Sequence, residues 1–248
     1  MDECRDGRRA GHRVPEPGLQ RELGRLAARG EEDNSAQNNW QGEAALRLGY
    51  ALTPALTAFV EGSAGYQLYD APSPIHLEKL DAADYEIRAG LGAKLTSVLE
   101  AEASIGLGLR RFAAPGFADV VSTLYDARVT FRPDETVTLG ANFSTNVGAP
   151  GPDSAGLARV EYAASADASY RLNNWVRLRA SAGWRQAQLV GTPVTETGYN
   201  AGVGVDYLLN EFATLTADSG YGWAETTPAP GEDEHRVMLG VTFSRPGD

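Results

Sequence analysis

From residue 40 onward, apolar and polar residues alternate along the chain with a period of two. The clearest stretch is residues 84–110, where Ile87 and Leu91 share one parity and Glu86 and Arg88 share the other. Side chains alternate between the two faces of a strand, so this stretch predicts two strands, joined at Thr96 by a tight antiparallel hairpin. Each strand is about twelve residues long, roughly twice the usual length in soluble sheets. That length fits a tilted strand that crosses a bilayer, which needs about nine to eleven residues.

The same pattern recurs and predicts about eleven visible strands, at residues 40–50, 56–68, 84–95, 99–110, 121–132, 136–147, 160–172, 176–187, 199–209, 213–224 and 235–244. Their connections alternate between short polar turns and long loops, the long ones at 70–83, 113–120, 148–159, 188–198 and 226–234. Outer-membrane barrels keep short turns on the periplasmic side and long loops outside. We therefore predict an all-β fold, an antiparallel up-and-down transmembrane β-barrel of about twelve strands, over residues 37–244, with a short tail at 245–248.

Residues 1–36 follow neither period. Leu19, Leu23 and Leu26 could form one helical stripe, but charged residues interrupt it, so a disordered or weakly helical segment is expected. Single-chain bacterial barrels use even numbers of strands, so one rising strand should precede Trp40, and residues 17–36 should hold it. No secretory signal is visible among the charged residues 1–29, and we expect an amino-terminally shortened barrel.

Aromatic residues cluster near both ends of the predicted strands, with Ala, Leu and Val between them. Two aromatic girdles around an aliphatic band are typical of proteins that cross the outer membrane. The alternative is that strands favour aromatic residues in any setting. The predicted interface aromatics are Tyr50, Tyr66, Tyr85, Tyr162, Tyr170, Trp184, Tyr199, Tyr207, Tyr221, Trp223 and Phe243.

The polar parity carries most of the charge. An Arg or Lys that faces lipid near the midplane costs about 2–4 kcal/mol, so this face is predicted to line a lumen. The predicted lumen residues are Glu86, Arg88, Lys94, Glu100, Glu102, Arg110, Arg128, Asp167, Arg171, Arg177, Arg179, Arg185 and Asp206. They could tune a water-filled pore, or form ion pairs that plug a narrow barrel. Arg177, Arg179 and Arg185 lie on one strand and are predicted to form an anion-attracting wall.

Composition and residue spacing argue against several other classes of function. The formal net charge of −11 argues against nucleic-acid binding, and no apolar run is long enough for a membrane helix. Glycine pairs such as those at 90–92, 106–108 and 202–204 fall mid-strand, which favours small lumen-facing residues over a nucleotide loop. No His, Cys and Asp spacing matches a metal cage, although Asp70 or residues 232–234 could bind divalent cations loosely. We expect no enzymatic activity, no cofactor and no dedicated metal site.

Phrases such as LGYALTP at 48–54, ASYRLNN at 168–174, GVDYLLN at 204–210 and VMLGVTF at 237–243 resemble those of outer-membrane β-barrel proteins of the β-barrel porin 2 type from Gram-negative bacteria. The resemblance implies a location in the bacterial outer membrane, in contact with lipid and lipopolysaccharide, and insertion by the outer-membrane assembly machinery. It also implies an export signal and a terminal aromatic residue, whereas here Phe243 is followed by five more residues.

The function expected from this resemblance and from the charged parity is a porin-like passive channel for small hydrophilic solutes. Two alternatives stay open: a conduit for polysaccharide export, and a non-conducting barrel that serves in structure or surface recognition.

Overall fold

The computed structural model describes residues 38–150 and 154–243, together with the backbone of residues 20–26. It contains twelve strands in one antiparallel sheet, in which each strand pairs with the next in sequence. The strands are β1 Gln20–Leu26, β2 Asn39–Thr53, β3 Leu56–Tyr69, β4 Ala82–Lys94, β5 Leu99–Phe112, β6 Val120–Phe131, β7 Val137–Gly148, β8 Ala158–Arg171, β9 Val176–Val190, β10 Thr195–Asn210, β11 Ala213–Thr226 and β12 Glu232–Phe243. Within the described ranges, no helix is long and apolar enough to span a membrane.

The eleven strands predicted from Trp40 onward are confirmed, and β1 occupies the place of the predicted rising strand. The local pattern predicted a disordered or weakly helical segment there, and for Gln20–Leu26 that interpretation is wrong, because these residues pair with Asn39–Ala45 of β2. Pairing with the neighbouring strand holds these residues in an extended conformation, although their own residue pattern does not predict a strand. The remainder of residues 1–36, and Ser244 at the end of the last predicted strand, lie outside the described residues.

The turns at one end of the sheet share the same hydrogen bond between a side chain and the backbone. In each, a Thr, Asp or Asn accepts a hydrogen bond from the backbone N–H two residues later: Thr53 from Ala55, Thr96 from Val98, Asp134 from Thr136, Asn173 from Trp175, and Asn210 from Phe212. Such side chains mimic a backbone turn and fix a tight reversal. We call this end the short-turn end and the other the long-loop end. At the long-loop end the predicted long loop at 188–198 shrinks to residues 191–194, because β9 and β10 extend into it.

The sheet curls strongly. Arg47 of β2 contacts Glu102 of β5 at 2.7 Å, although two strands separate β2 from β5, so their shared face is concave. The opposite, convex face exposes apolar side chains such as Ile105, which is 56% exposed, and Leu107. The strands β1 and β12 form the two ends of the sheet, and among the described residues they do not pair with each other.

The ladder between β6 and β7 breaks half-way. These strands pair only over Asp126–Phe131 and Leu139–Ser144. Beyond the break, Ala158 of β8 packs with Ala82, Phe112 and Val120, which share the concave face of β4, β5 and β6. The long-loop ends of β7–β9 therefore lie inside the curve of β4–β6, and we call this arrangement the lap.

The lap corrects one expectation. With the polar parity predicted to line a lumen, the apolar parity is expected to face lipid, but Val160, on the apolar parity of β8, is only 8% exposed. Ala158 precedes it on the same parity and is fully buried. These two residues pack against protein because the β6–β7 break lets the strand end fold inward.

Candidate functional site

The concave face holds the charged residues predicted to line a lumen, and glycines make room for the largest of them. Phe59 is an apolar residue on the polar parity, and it is buried beneath Arg47, whose guanidinium carbon lies 3.5 Å from the ring centre. A Cβ at Gly90 would overlap this ring, and one at Gly106 would come within 2.7 Å of Arg88 Cγ. The lack of a side chain at these two mid-strand glycines therefore leaves room for the large lumen side chains beside them.

Ion pairs cross between strands on the β2–β6 side. Arg47 contacts Glu102 at 2.7 Å and Glu61 at 3.5 Å. Arg88 contacts Glu86 at 2.8 Å and also pairs with Asp126 of β6. The Arg47 pairs are partly exposed, so their contribution to stability is small, whereas the Arg88 pairs are more deeply buried. Both sets place fixed charges across the curl.

Arg110 is the most deeply buried charge on this wall, with 1% of its side chain exposed. Its Nη1 donates to both oxygens of Asp84, at 3.1 and 2.9 Å, and its Nη2 donates to Gln67 Oε1 at 2.9 Å. A bidentate carboxylate and an amide oxygen compensate the desolvated guanidinium. The alternation placed Arg110 on the lumen face but gave no sign of its burial, which depends on the nearby lap.

The β8–β12 side carries a second set of pairs. Arg179 lies between Asp206 and Asp218, at 2.9 Å from each. Further towards the long-loop end, Arg159 bridges Glu161 at 2.9 Å and Glu196 at 2.8 Å. Two carboxylates surround each of these guanidinium groups, so neither presents an uncompensated positive charge.

The residues that can form the predicted basic wall therefore differ in part from those expected. Arg177 and Arg185 lie on the same face of β9 as Arg179, but within the described part of the chain neither forms an ion pair. Arg171 lies directly opposite Arg177 in the β8–β9 register and is likewise without an ion pair there. Among the described residues, the cations on this wall that form no ion pair are Arg171, Arg177 and Arg185, although Asp206 lies opposite Arg177 in the β9–β10 register. Arg179 bridges two carboxylates.

The remaining predicted lumen residues also map to the concave face. Lys94 and Glu100 are opposite each other near the short-turn end, at 3.9 Å. Arg128 Nε donates to Asn142 Oδ1 at 3.0 Å. Asp167 packs against Gly140 and lines a cavity of about 390 Å³ together with Arg179 and Asp218. Two further cavities, of about 340 and 430 Å³, follow the β2–β6 wall towards the short-turn end. These cavities all lie on the inside of the curl, one on the β8–β12 side and two on the β2–β6 wall.

The predicted interface aromatics occupy the convex parity. Those most exposed are Phe243 at 78% and Tyr50 at 73%, both near the short-turn end. At the long-loop end, Tyr199 and Trp223 lie with ring centroids 5.6 Å apart. Their contact with a membrane interface stays a prediction.

The histidines are scattered. His76 meets Phe117 edge-on at 5.6 Å in the long loops, and His235 lies 4.8 Å from Tyr221 on the convex face, while His12 lies outside the described residues. In the described part of the chain, no group of three His, Cys, Asp or Glu residues could hold a metal ion.

Comparison with known proteins decides the family. The family described as "Putative beta-barrel porin 2" matches residues 25–245, which is most of the chain. The chain belongs to this family. It is accordingly a porin-type β-barrel protein of the bacterial outer membrane, as the alternation and the connections predicted. No curated protein matches the sequence significantly.

Solved structures show the same fold at low identity. The outer membrane channel DcaP of Acinetobacter baumannii has a TM-score of 0.60 at 13% identity, over 92% of this porin and 71% of that chain. The FrpB iron transporter from Neisseria meningitidis has a TM-score of 0.53 at 10% identity, over 76% of this porin and 36% of that chain. At such identities the likeness concerns the fold alone.

Three features of the site escaped the sequence pattern. Phe59 is an apolar residue on the polar parity, and neither the Gln67–Asp84–Arg110 cluster nor the lap is predicted by the alternation. Of these three, only Phe59 could have been recognised from the sequence, because a large apolar residue opposite a glycine on the polar parity indicates packing inside the lumen.

Proposed function

We propose that this porin is a passive channel for small hydrophilic solutes, which diffuse along its concave face. Outer-membrane lipid and lipopolysaccharide then cover the convex face, and the outer-membrane assembly machinery inserts the chain. The observation that supports this most directly is the division of the two faces. The interstrand ion pairs and the cavities beside them lie on the concave side, while exposed Leu and Ile side chains lie on the convex side. This is the arrangement that a water-filled barrel in a bilayer requires.

Charge along the path sets the selectivity. Because Arg47, Arg88, Arg110 and Arg179 are compensated by carboxylates, they contribute little net attraction for a passing ion. The uncompensated Arg171, Arg177 and Arg185 instead create a local positive potential on the β8–β9 wall. A ring or track of such residues favours anions at that point of a pore.

A second candidate is a non-conducting structural barrel. The observation that favours it is the Arg47–Glu102 pair, which joins β2 to β5 and so crosses part of the lumen. Ion pairs of this kind occupy space that a solute would need. The cavities on both sides of this pair favour the channel over the plugged barrel.

Planar-bilayer recording of the refolded full chain separates the two. Stepwise current increments at each insertion are expected, and a chain that inserts without any current would refute the channel. Arg177→Glu should shift the reversal potential in a KCl gradient towards K⁺ selectivity. Arg111→Glu makes the same change of charge on the convex parity at the long-loop end, where the side chain is 61% exposed, and should leave the reversal potential unchanged. Equal shifts in both variants would contradict the proposed basic wall.

A further inference from the structure

The lap joins two apolar surfaces that the alternation assigns to opposite faces. On the lap, Val147 and Ala158 lie on the convex parity of β7 and β8. On the wall that they pack against, Ala82, Phe112 and Val120 are buried, although they lie on the polar parity of β4–β6. Apolar side chains on a water-facing parity are stabilised when protein covers them, so this apolar patch favours the inward position of the lap. We call that position the docked position.

Docking leaves two strand edges without their partner. The Arg132 N–H donates to the carbonyl oxygen of Val98, and the Arg171 N–H donates to that of Thr136. Because bonding directions alternate along a strand, even-numbered residues of β6 bond to β5, and even-numbered residues of β7 bond to β8. The N–H and C=O groups of the odd-numbered residues therefore point into the gap between β6 and β7, where the ladder has ended. Such unpaired edges favour pairing with another strand.

The two edges match each other. When the observed register is continued beyond Ser144, Ser122 of β6 lies opposite Gly148 of β7 without any bulge. The same movement returns Val147 to the convex face, where the alternation predicts it. Docking also carries a cost, since Thr145 is 1% exposed and its hydroxyl oxygen has no hydrogen-bond partner. The strand ends therefore have a second favourable position, in which they rejoin β6.

We propose that the lap is a gate at the long-loop end, with a docked position and a rejoined position. In the docked position the strand ends lie inside the curve, and a cavity of about 440 Å³ is left between residues 146–149 and the β2–β5 wall. Arg88 supports this position, because its Nη2 donates to the carbonyl oxygen of Thr145 at 3.4 Å. In the rejoined position the strand ends return to the barrel wall and the lumen widens. Apolar burial favours the first position and backbone pairing favours the second, so two packed arrangements compete.

A disulfide between the two strands tests the rejoined position. In a Cys4→Ser background, Ser122→Cys and Gly148→Cys place thiols across a non-hydrogen-bonded pair, in which side chains approach most closely. A Cβ at Gly148 meets nothing within 4 Å, so the docked position accepts the substitution as well. The matched control is Ala45→Cys with Ser63→Cys, a pair in the β2–β3 ladder that is already formed.

Copper–phenanthroline oxidation in lipid vesicles should bridge both pairs, and mass spectrometry of the chain measures the yield. In planar bilayers, the chain bridged between positions 122 and 148 should then conduct about twofold more than its reduced form, because the lap is held out of the lumen. The chain bridged between positions 45 and 63 should conduct as its reduced form does. A control pair that bridges while the 122–148 pair does not, or a 122–148 bridge that leaves the current unchanged, would overturn the gate.

A single substitution tests the docked position. Ala82 is fully buried in the apolar patch but lies on the polar parity, so it faces water once the lap has moved out. Ala82→Asn leaves a buried amide without a partner only in the docked position, and should speed formation of the 122–148 bridge about tenfold. Ala45→Asn makes the same change on the concave face of β2, outside the patch, and should leave the rate unchanged. Equal rates in the two variants would refute the docked position as one arm of the gate.

The effect on current rests on the proposed channel, whereas bridge formation needs no current, so the two proposals fail separately. A chain that forms the 122–148 bridge but conducts nothing contradicts the channel alone. A chain that conducts but never forms this bridge contradicts the gate alone.

Discussion

The assignment of the convex face to lipid can be tested with one pair of neighbouring residues. Ser104 and Ile105 lie in the middle of β5, on opposite faces. Ile105 is 56% exposed on the convex face, while Ser104 lines a cavity of about 340 Å³ on the concave face beside Asp126. An arginine at either position places the same charged side chain at almost the same depth in the membrane.

The expected costs differ sharply. An arginine on the lipid face near the bilayer midplane costs about 2–4 kcal/mol, which lowers the folding equilibrium constant roughly 30- to 900-fold. Ile105→Arg should therefore lose about 2–4 kcal/mol. Ser104→Arg should cost less than about 1 kcal/mol, because its guanidinium enters a polar cavity near a carboxylate and its charge stays hydrated.

The assay is equilibrium unfolding by guanidinium chloride in lipid vesicles, followed by tryptophan fluorescence, with the midpoint and slope compared between the two variants. Native-like electrophoretic mobility without heating serves as the control for folding. If Ser104→Arg were as destabilising as Ile105→Arg, or more so, the concave face would not be aqueous and the assignment of the faces would be wrong.

Three further predictions concern clearance, turns and the crossing ion pair. Gly90→Ala should destabilise the barrel by about 1–3 kcal/mol in the same unfolding assay, because the added Cβ meets a ring and a carbonyl oxygen, whereas Gly222→Ala, with open space around its Cβ, should not. Hydrogen bonds from the turn lower the pKa of Asp134 below its ordinary value. The contribution of the Asp134 carboxylate to stability is therefore present above about pH 4 and is lost as pH falls through the lower folded-state pKa. Asp134→Asn should remove this pH dependence of the unfolding midpoint. An unchanged pH profile in the variant would contradict the prediction. Arg47→Ala should raise unit conductance and shift the reversal potential towards K⁺, because the bridge to Glu102 is lost and its carboxylate is freed; unchanged currents would mean that this pair lies off the solute path.

The sequence alone determined the strands from Trp40 onward, their two faces and the turns that join them. The alternation of side chains between two faces is a local property of an extended chain. The face on which a residue such as Ile87 or Arg88 lies can therefore be predicted without knowing which strands pair beside it. The short turns are local as well, since Asp134 or Asn173 needs only the next two or three residues to form its hydrogen bonds. The connection lengths then gave the up-and-down order and the outer-membrane class.

Only the tertiary structure decided how far the sheet curls, and most of the site depends on that curl. β1 becomes a strand through its pairing with β2, against its own local pattern. Arg47 reaches Glu102, and Arg110 is buried beside the lap, because strands distant in sequence are brought together by curvature and by the break between β6 and β7. The alternation fixes the face of a residue but carries no information about which distant strand that face will meet. For this reason Arg179, predicted as part of an anion-attracting wall, is compensated by Asp206 and Asp218.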